Sequence, residues 1–200
     1  MQPFTTWKAV AVPLGIPNID TDQIIPGRYL GLTREQQKEG MFRDLRCNED
    51  GSPKPDFIMN KPAFKGAGVV VAERNFGCGS SREHAVTVML DNGYRAFIAP
   101  SFGDIFANNC YQNGCVPVVL PEARVNELLR FLLELPGAEI SVDLPSQTVT
   151  GPDGKTDTFA IDSFRKDCLL KGQDDISLTL SYDKDIAAFE ARQKAEVAWL

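Results

Sequence analysis

Ala67-Gly68-Val69-Val70-Val71-Ala72-Glu73-Arg74-Asn75-Phe76-Gly77-Cys78-Gly79-Ser80-Ser81-Arg82-Glu83-His84-Ala85 is the stretch on which the fold turns. Its opening run, Ala67 to Ala72, is short, apolar and rich in β-branched residues, the pattern of a strand buried on both faces. The run stops at a glycine-rich turn, and a helix is expected from about Ser81 to Asn92. Toward the C-terminus, Ala96 to Ala99 reads as a second strand, Phe102 to Asn113 as a helix and Val116 to Leu120 as a third strand. This β-α-β-α-β alternation predicts an α/β fold with a mostly parallel sheet and right-handed crossovers.

On the other side of the quoted stretch, Trp7 to Leu14 is an apolar segment that runs into Gly15-Ile16-Pro17-Asn18-Ile19-Asp20-Thr21-Asp22, a polar loop. Residues 31–56 are charged and carry Asn48-Glu49-Asp50-Gly51-Ser52-Pro53, which predicts a short helix over Arg34 to Phe42 and then an exposed, flexible excursion. Further on, Glu122 to Leu135 places Val125, Leu128, Leu129 and Leu132 at helical spacing before Pro136-Gly137. Strands are expected at Ile140 to Leu144, Thr148 to Thr150 and Thr158 to Ile161, the last two joined through Gly151-Pro152-Asp153-Gly154. Helices are expected at Ser163 to Leu170 and at about 183–199.

The 200 residues suit one domain, 43% apolar and 24% charged, and are long enough to bury a core. Lys and Arg number 21 against 27 Asp and Glu, a net charge of -6 with no basic stripe, which argues against nucleic acid as a partner. No window approaches the length of a membrane span, and the first residues do not have the form of a secretion signal, so a cytoplasmic location is expected. The five cysteines, Cys47, Cys78, Cys110, Cys115 and Cys168, are scattered with no Cys-x-x-Cys pair, and there is one histidine. Neither a disulfide framework nor a metal site within the chain is expected.

The turn Asn75 to Ala85 is the candidate site. A glycine turn at the C-terminal edge of a parallel sheet lets backbone approach a ligand, and a following helix start favours an anion. Two readings of Ser80 compete. Ser80 and Glu83 have the spacing of a capping box, which alone would explain both. Against it, Arg82 would lie in the first helical turn, where a cation opposes the macrodipole unless it serves a ligand or an acidic partner. Ser81 and two glycines also widen the set of donors beyond the needs of a cap. Other motifs fail: Arg82 stands where a dinucleotide fingerprint has its third glycine, and the turn from Asn75 to Ala85 contains neither Gly-Lys-Ser/Thr nor Gly-x-Ser-x-Gly. His84 reads as a packed or locally bonded ring rather than a triad base.

With these residues in hand, the segment resembles the serine-arginine signature of the swivelling domain of the aconitase superfamily, and most of the chain resembles the small subunits of isopropylmalate isomerases within it. The likeness includes Asn18-Ile19-Asp20-Thr21-Asp22-Gln23-Ile24-Ile25-Pro26, Ile98-Ala99-Pro100-Ser101-Phe102-Gly103-Asp104-Ile105-Phe106, Phe159-Ala160-Ile161-Asp162 and Asp175-Ile176-Ser177-Leu178-Thr179-Leu180. The resemblance implies a single three-layer β/β/α swivelling domain over residues 1–200. It implies a large partner subunit with a [4Fe-4S] cluster, with no cofactor bound by this chain, and a small hydroxy-dicarboxylate substrate. The implied reaction dehydrates 2-isopropylmalate and rehydrates the product to 3-isopropylmalate in leucine biosynthesis. Ser80 is implied as the base and Arg82 as the anchor of a substrate carboxylate, with the N–H groups near Gly79 and Ser81 completing the pocket. A second carboxylate-binding arginine is sought after Pro26, with Arg28 and Arg34 as candidates. The loop from Gly27 to Phe42 would set substrate preference, which leaves 2-methylmalate, dimethylmalate or homoaconitate chemistry, or a non-catalytic anion-binding module, as alternatives.

Overall fold

A computed structural model describes residues 1–197. The first strand, β1 (Thr6–Leu14), organises the sheet because its two halves pair differently. Its C-terminal half, Ala11 to Leu14, pairs in parallel with β2 (Val69–Ala72), and its N-terminal half, Thr6 to Val10, pairs antiparallel with β5 (Glu139–Asp143). Outward from β2 lie β3 (Ala96–Ala99) and β4 (Val116–Val119), both parallel; outward from β5 lie β6 (Thr148–Thr150) and β7 (Thr156–Thr158), both antiparallel. The order is β4-β3-β2-β1-β5-β6-β7. The α/β fold class expected is therefore present, its parallel half built from the strands read around the quoted stretch.

Strand alternation sends side chains to two cores. On one face, Val12, Leu14, Val70, Ala72, Phe97 and Ala99 meet α4 (Glu83–Asp91) and α5 (Asp104–Gln112) through Ala85, Val86, Met89, Phe106 and Cys110. On the other, Val69, Val71, Ile98 and Val118 meet α6 (Glu122–Glu134) through Val125, Leu128 and Leu132. The sheet curls enough that Ile140, Val142, Leu144 and Val149 of its antiparallel half join this second core, which layers strands over strands and helices.

The structure corrects several boundaries. The polar loop after β1 contains a single helical turn, α1 (Thr21–Ile24), capped by Asp20. The expected helix over Arg34 to Phe42 breaks into α2 (Arg34–Lys38) and, beyond Phe42, α3 (Arg43–Arg46). Phe42 takes a left-handed conformation (φ 49°) with its ring fully buried and its N–H bonded to the Ile24 carbonyl, so burying Met41 and Phe42 ends the first helix. Within residues 31–56 only Gly40, Met41, Phe42 and Cys47 are buried, so the excursion is anchored at these points while most of it stays exposed or half-buried. The strand expected at Thr158 to Ile161 lies earlier, at β7, because Arg124 on α6 draws in Asp153 and Asp157 and sets the hairpin register. Helix α7 (Ser163–Lys171) is as expected, whereas α8 (Asp175–Leu180) has no strong periodic signal in the sequence and is an addition. The last helix, α9, runs Asp183–Glu196; the part of the expectation that reaches 198–199 lies outside the described residues.

Candidate active site

The site is built from the loops that leave the C-terminal ends of β1, β2 and β3, and it is laced together by backbone. The Gly77 N–H donates to the Ile19 carbonyl at 2.7 Å and the Thr21 N–H to the Cys78 carbonyl at 2.9 Å. The Asn75 side-chain amide donates to Asn18 Oδ1 at 3.0 Å, and the Asn75 N–H donates to Ser101 Oγ at 2.9 Å. Gly77 (φ 72°) has a positional role: a Cβ there would lie 2.3 Å from Phe106 Cγ, inside the aromatic cluster of Phe76, Phe97, Phe102 and Phe106. Only glycine accommodates both the dihedral and the approach.

This lacing settles the competition over Ser80. Asp20 and Cys78 form a parallel bridge, and the buried Thr21 donates its hydroxyl to the Ser80 carbonyl at 2.9 Å. The chain is thereby held outside the helix at Ser80, and α4 begins only at Glu83, with Arg82 as its N-cap and no side-chain cap bond. The capping box is not formed; the Glu83 carboxylate instead accepts from Asn113 at 3.0 Å. Arg82 is correspondingly moved from the first turn, where the sequence placed it, to the cap.

Ser80 and Ser81 are exposed, and the Ser80 hydroxyl takes no part in the hydrogen bonds among the described residues. The N–H groups of Gly79, Ser80 and Ser81 likewise donate to no backbone carbonyl among those residues. Arg82 is held from behind. Its Nη1 pairs with Asp22 and donates to the Ile25 carbonyl at 3.3 Å, and its side chain is 19% exposed. Gly27 lies beside the guanidinium, since a Cβ there would come 3.9 Å from Nη1. The Nε and Nη2 edge has no partner among the described residues, so a planar pair of donors is left for a carboxylate.

Arg28 and Arg34 separate. Arg28, one residue past Gly27, lies over the Tyr29 ring and reaches Asp44 with both guanidinium nitrogens, Nη1 at 3.0 Å from Oδ2. The two groups adjust each other: Arg28 holds the Asp44 carboxyl below its ordinary range, and Asp44 raises the Arg28 guanidinium. Arg34 makes two bonds of 2.7 Å to Asp91 at the C-terminal end of α4. Nine residues of helix span about 12 Å, so this pair sits at the end of α4 away from Ser80. His84, half-buried in the first turn of α4, makes no link to Ser80.

Sequence reasoning missed the roles of Asp22 and Thr21. Both stand in the polar loop it marked, but a partner about 60 residues away has no local signature. Metal ligation is poorly served here: among the described residues no three His, Cys, Asp or Glu side chains gather into a site. Burial pushes the Cys110 thiol well up and the Cys115 thiol up to about 12, so at neutral pH neither is a thiolate. Nor, among those residues, is any helix long and apolar enough to cross a membrane.

A serine and an arginine stand on a glycine turn at the edge of a curled α/β sheet, and residues 1–123, which include that turn, match the family model of the Aconitase C-terminal domain. Residues 126–163 match a model described as LeuD_N, and residues 175–200 match the model of the C-terminal domain of 3-isopropylmalate dehydratase small subunits. A 3-isopropylmalate dehydratase small subunit from Rhodopseudomonas palustris (strain BisA53) is 50% identical over 200 residues, covering all of both chains. One from Paramagnetospirillum magneticum is 48% identical, again over the whole of both. A crystal structure of 3-isopropylmalate dehydratase from Methanocaldococcus jannaschii superposes with a TM-score of 0.63 at 26% identity, covering 94% of this chain and 99% of that one. The chain belongs to the 3-isopropylmalate dehydratase small-subunit family.

Proposed function

We propose that this chain is the small subunit of a heteromeric hydro-lyase that converts 2-isopropylmalate to 3-isopropylmalate in leucine biosynthesis, a cytoplasmic step. The observation that carries the reading is the identity of 50% along the entire length of a relative with that name. Those names favour isopropylmalate over methylmalate, dimethylmalate or homoaconitate chemistry, and over a non-catalytic anion-binding module.

The chemistry assigned to this chain is proton transfer and carboxylate binding. The Ser80 oxygen takes the proton from the carbon beside a substrate carboxylate. The C–H electrons become the second bond of isopropylmaleate as the neighbouring C–O bond breaks and hydroxide leaves, and rehydration in the opposite sense yields the product. A serine alkoxide is a strong base needing stabilisation, which the free N–H groups of Gly79 and Ser81 and the nearby Arg82 charge supply. The open Nε and Nη2 edge of Arg82 grips one carboxylate. Arg28, close in the chain to the Arg82 contacts at Ile25 and Gly27, grips the second, while Arg34 is engaged elsewhere.

The [4Fe-4S] cluster is assigned to the large subunit, where it would supply the Lewis acid that helps the hydroxyl depart. The exposed Ser80 edge is the surface that the large partner covers, with residues 1–200 moving as one swivelling domain and the loop from Gly27 to Phe42 tuning substrate preference. The test is reconstitution. The purified chain alone is expected to be inactive, and adding the large subunit is expected to start conversion of isopropylmalate. Full turnover by the isolated chain, or none by the assembled complex, overturns the reading.

A further inference from the structure

Arg28 is the one arginine of the proposed site that already holds a carboxylate in its fork, and that carboxylate is internal. Both partners are exposed, at 56% and 60%, and lie in an open cavity of about 610 Å³ that also presents Tyr29, Arg43, Glu49 and Lys54. We propose that Asp44 is a positioning residue that occupies the Arg28 fork in place of substrate, and that the second substrate carboxylate enters by displacing it. The proposal rests on the functional reading above, in which Arg28 is the second carboxylate anchor.

Three observations support the exchange. The geometry is right: two nitrogens of Arg28 meet two oxygens of Asp44, the pattern a substrate carboxylate would adopt. The contact is weak enough to be exchanged, because an ion pair with both partners exposed is screened by water and salt and contributes little. Asp44 is also not stranded by release, since Arg43 and Lys54 both add favourable charge at its carboxyl, and the Lys54 ammonium already bonds the Asp44 carbonyl at 2.8 Å. Arg43 itself makes no salt bridge among the described residues; its Nη1 contacts Cys47 Sγ at 3.3 Å, leaving it able to receive the displaced carboxylate. The pair thus works as an internal competitor. It keeps the fork ordered and partly neutralised between turnovers, and it sets a threshold that a monocarboxylate, lacking a second group to trade, does not cross.

The experiment uses the reconstituted complex of both subunits, with Asp44→Asn and Asp44→Glu in this chain. Removing the internal competitor is expected to lower KM for isopropylmalate about threefold, on the order of a surface pair's strength, with kcat changing less than KM. Asp44→Glu keeps the charge and is expected to return KM toward the wild-type value. Raising the salt concentration, which screens exposed pairs, is expected to shrink the difference between wild type and Asp44→Asn. An active wild-type complex in which Asp44→Asn leaves KM unchanged or raises it overturns this proposal alone. An inactive wild-type complex overturns the functional reading, and this proposal with it.

Discussion

Arg82 and Arg124 have the same side chain and similar depth, and their surroundings separate an arginine with donors left open from one that is fully engaged. Arg124, with a side chain 9% exposed, is met on all sides: Nε bonds Asp157 at 2.6 Å, Nη1 bonds Asp153 at 2.7 Å and Glu127 at 3.0 Å, and Nη2 bonds Asp153 at 3.0 Å. Its guanidinium is raised by the three carboxylates, and Asp153 is held low in return. Arg82, 19% exposed, has one carboxylate and one carbonyl, both on the same nitrogen. A fork saturated by acids pins an antiparallel hairpin to α6. A fork fixed at one corner and open along one edge keeps the donors that the proposed role of Arg82, holding a carboxylate from outside, requires.

The contrast predicts opposite phenotypes. Arg124→Ala leaves Asp153, 5% exposed, as a nearly buried carboxylate that keeps only Lys155 as a partner among the described residues, its ammonium at 3.9 Å and its N–H at 3.2 Å, and should cost about 3 kcal/mol of stability in chemical denaturation, with little change in substrate KM once folded. A loss under about 1 kcal/mol would mean that the cluster behaves as an ordinary surface ion pair. On the catalytic side, Ser80→Ala in the reconstituted complex is expected to lower kcat about 100-fold or more, with assembly and melting temperature retained. An unchanged rate would remove Ser80 from the chemistry. Arg82→Lys should weaken kcat/KM about tenfold, mainly through KM, because an ammonium has no planar pair of donors to present; normal kinetics would show that the open edge is idle.

The smallest effect concerns acid. Asp153 has a folded-state pKa below its ordinary value because of Arg124, so its contribution is complete above the unfolded pKa near 3.8 and disappears as pH falls through the lower folded value. Wild-type stability should therefore fall below about pH 4 more steeply than that of Arg124→Ala, in which Asp153 has no arginine to depress it. Parallel acid melting curves for the two proteins would contradict that assignment.

Much of the molecule is legible in the chain itself. The buried run Val69 to Ala72, the glycine turn and the periodic α6 each carry their fold in local composition, because strand and helix periodicity need no distant partner to be seen. The serine-arginine turn is legible for the same reason. What stays hidden is anything set by a contact across the fold. The Ser80–Glu83 spacing has the form of a cap, yet Thr21 pulls Ser80 out of the helix from 59 residues away. Alternation places a strand at Thr158 to Ile161, yet Arg124 fixes the register earlier in the chain through polar Asp157.

The sequence alone determined the α/β class, the placement of the candidate serine-arginine turn after β2 and the residue types that turn carries. Only the tertiary structure decided which arginine keeps an open edge, which is tied to Asp91, and that Ser80 lies exposed on a loop ahead of α4. The physical reason is range: periodicity and turn chemistry act over a few residues, whereas the charge and exposure of a side chain depend on whichever segments the fold brings beside it.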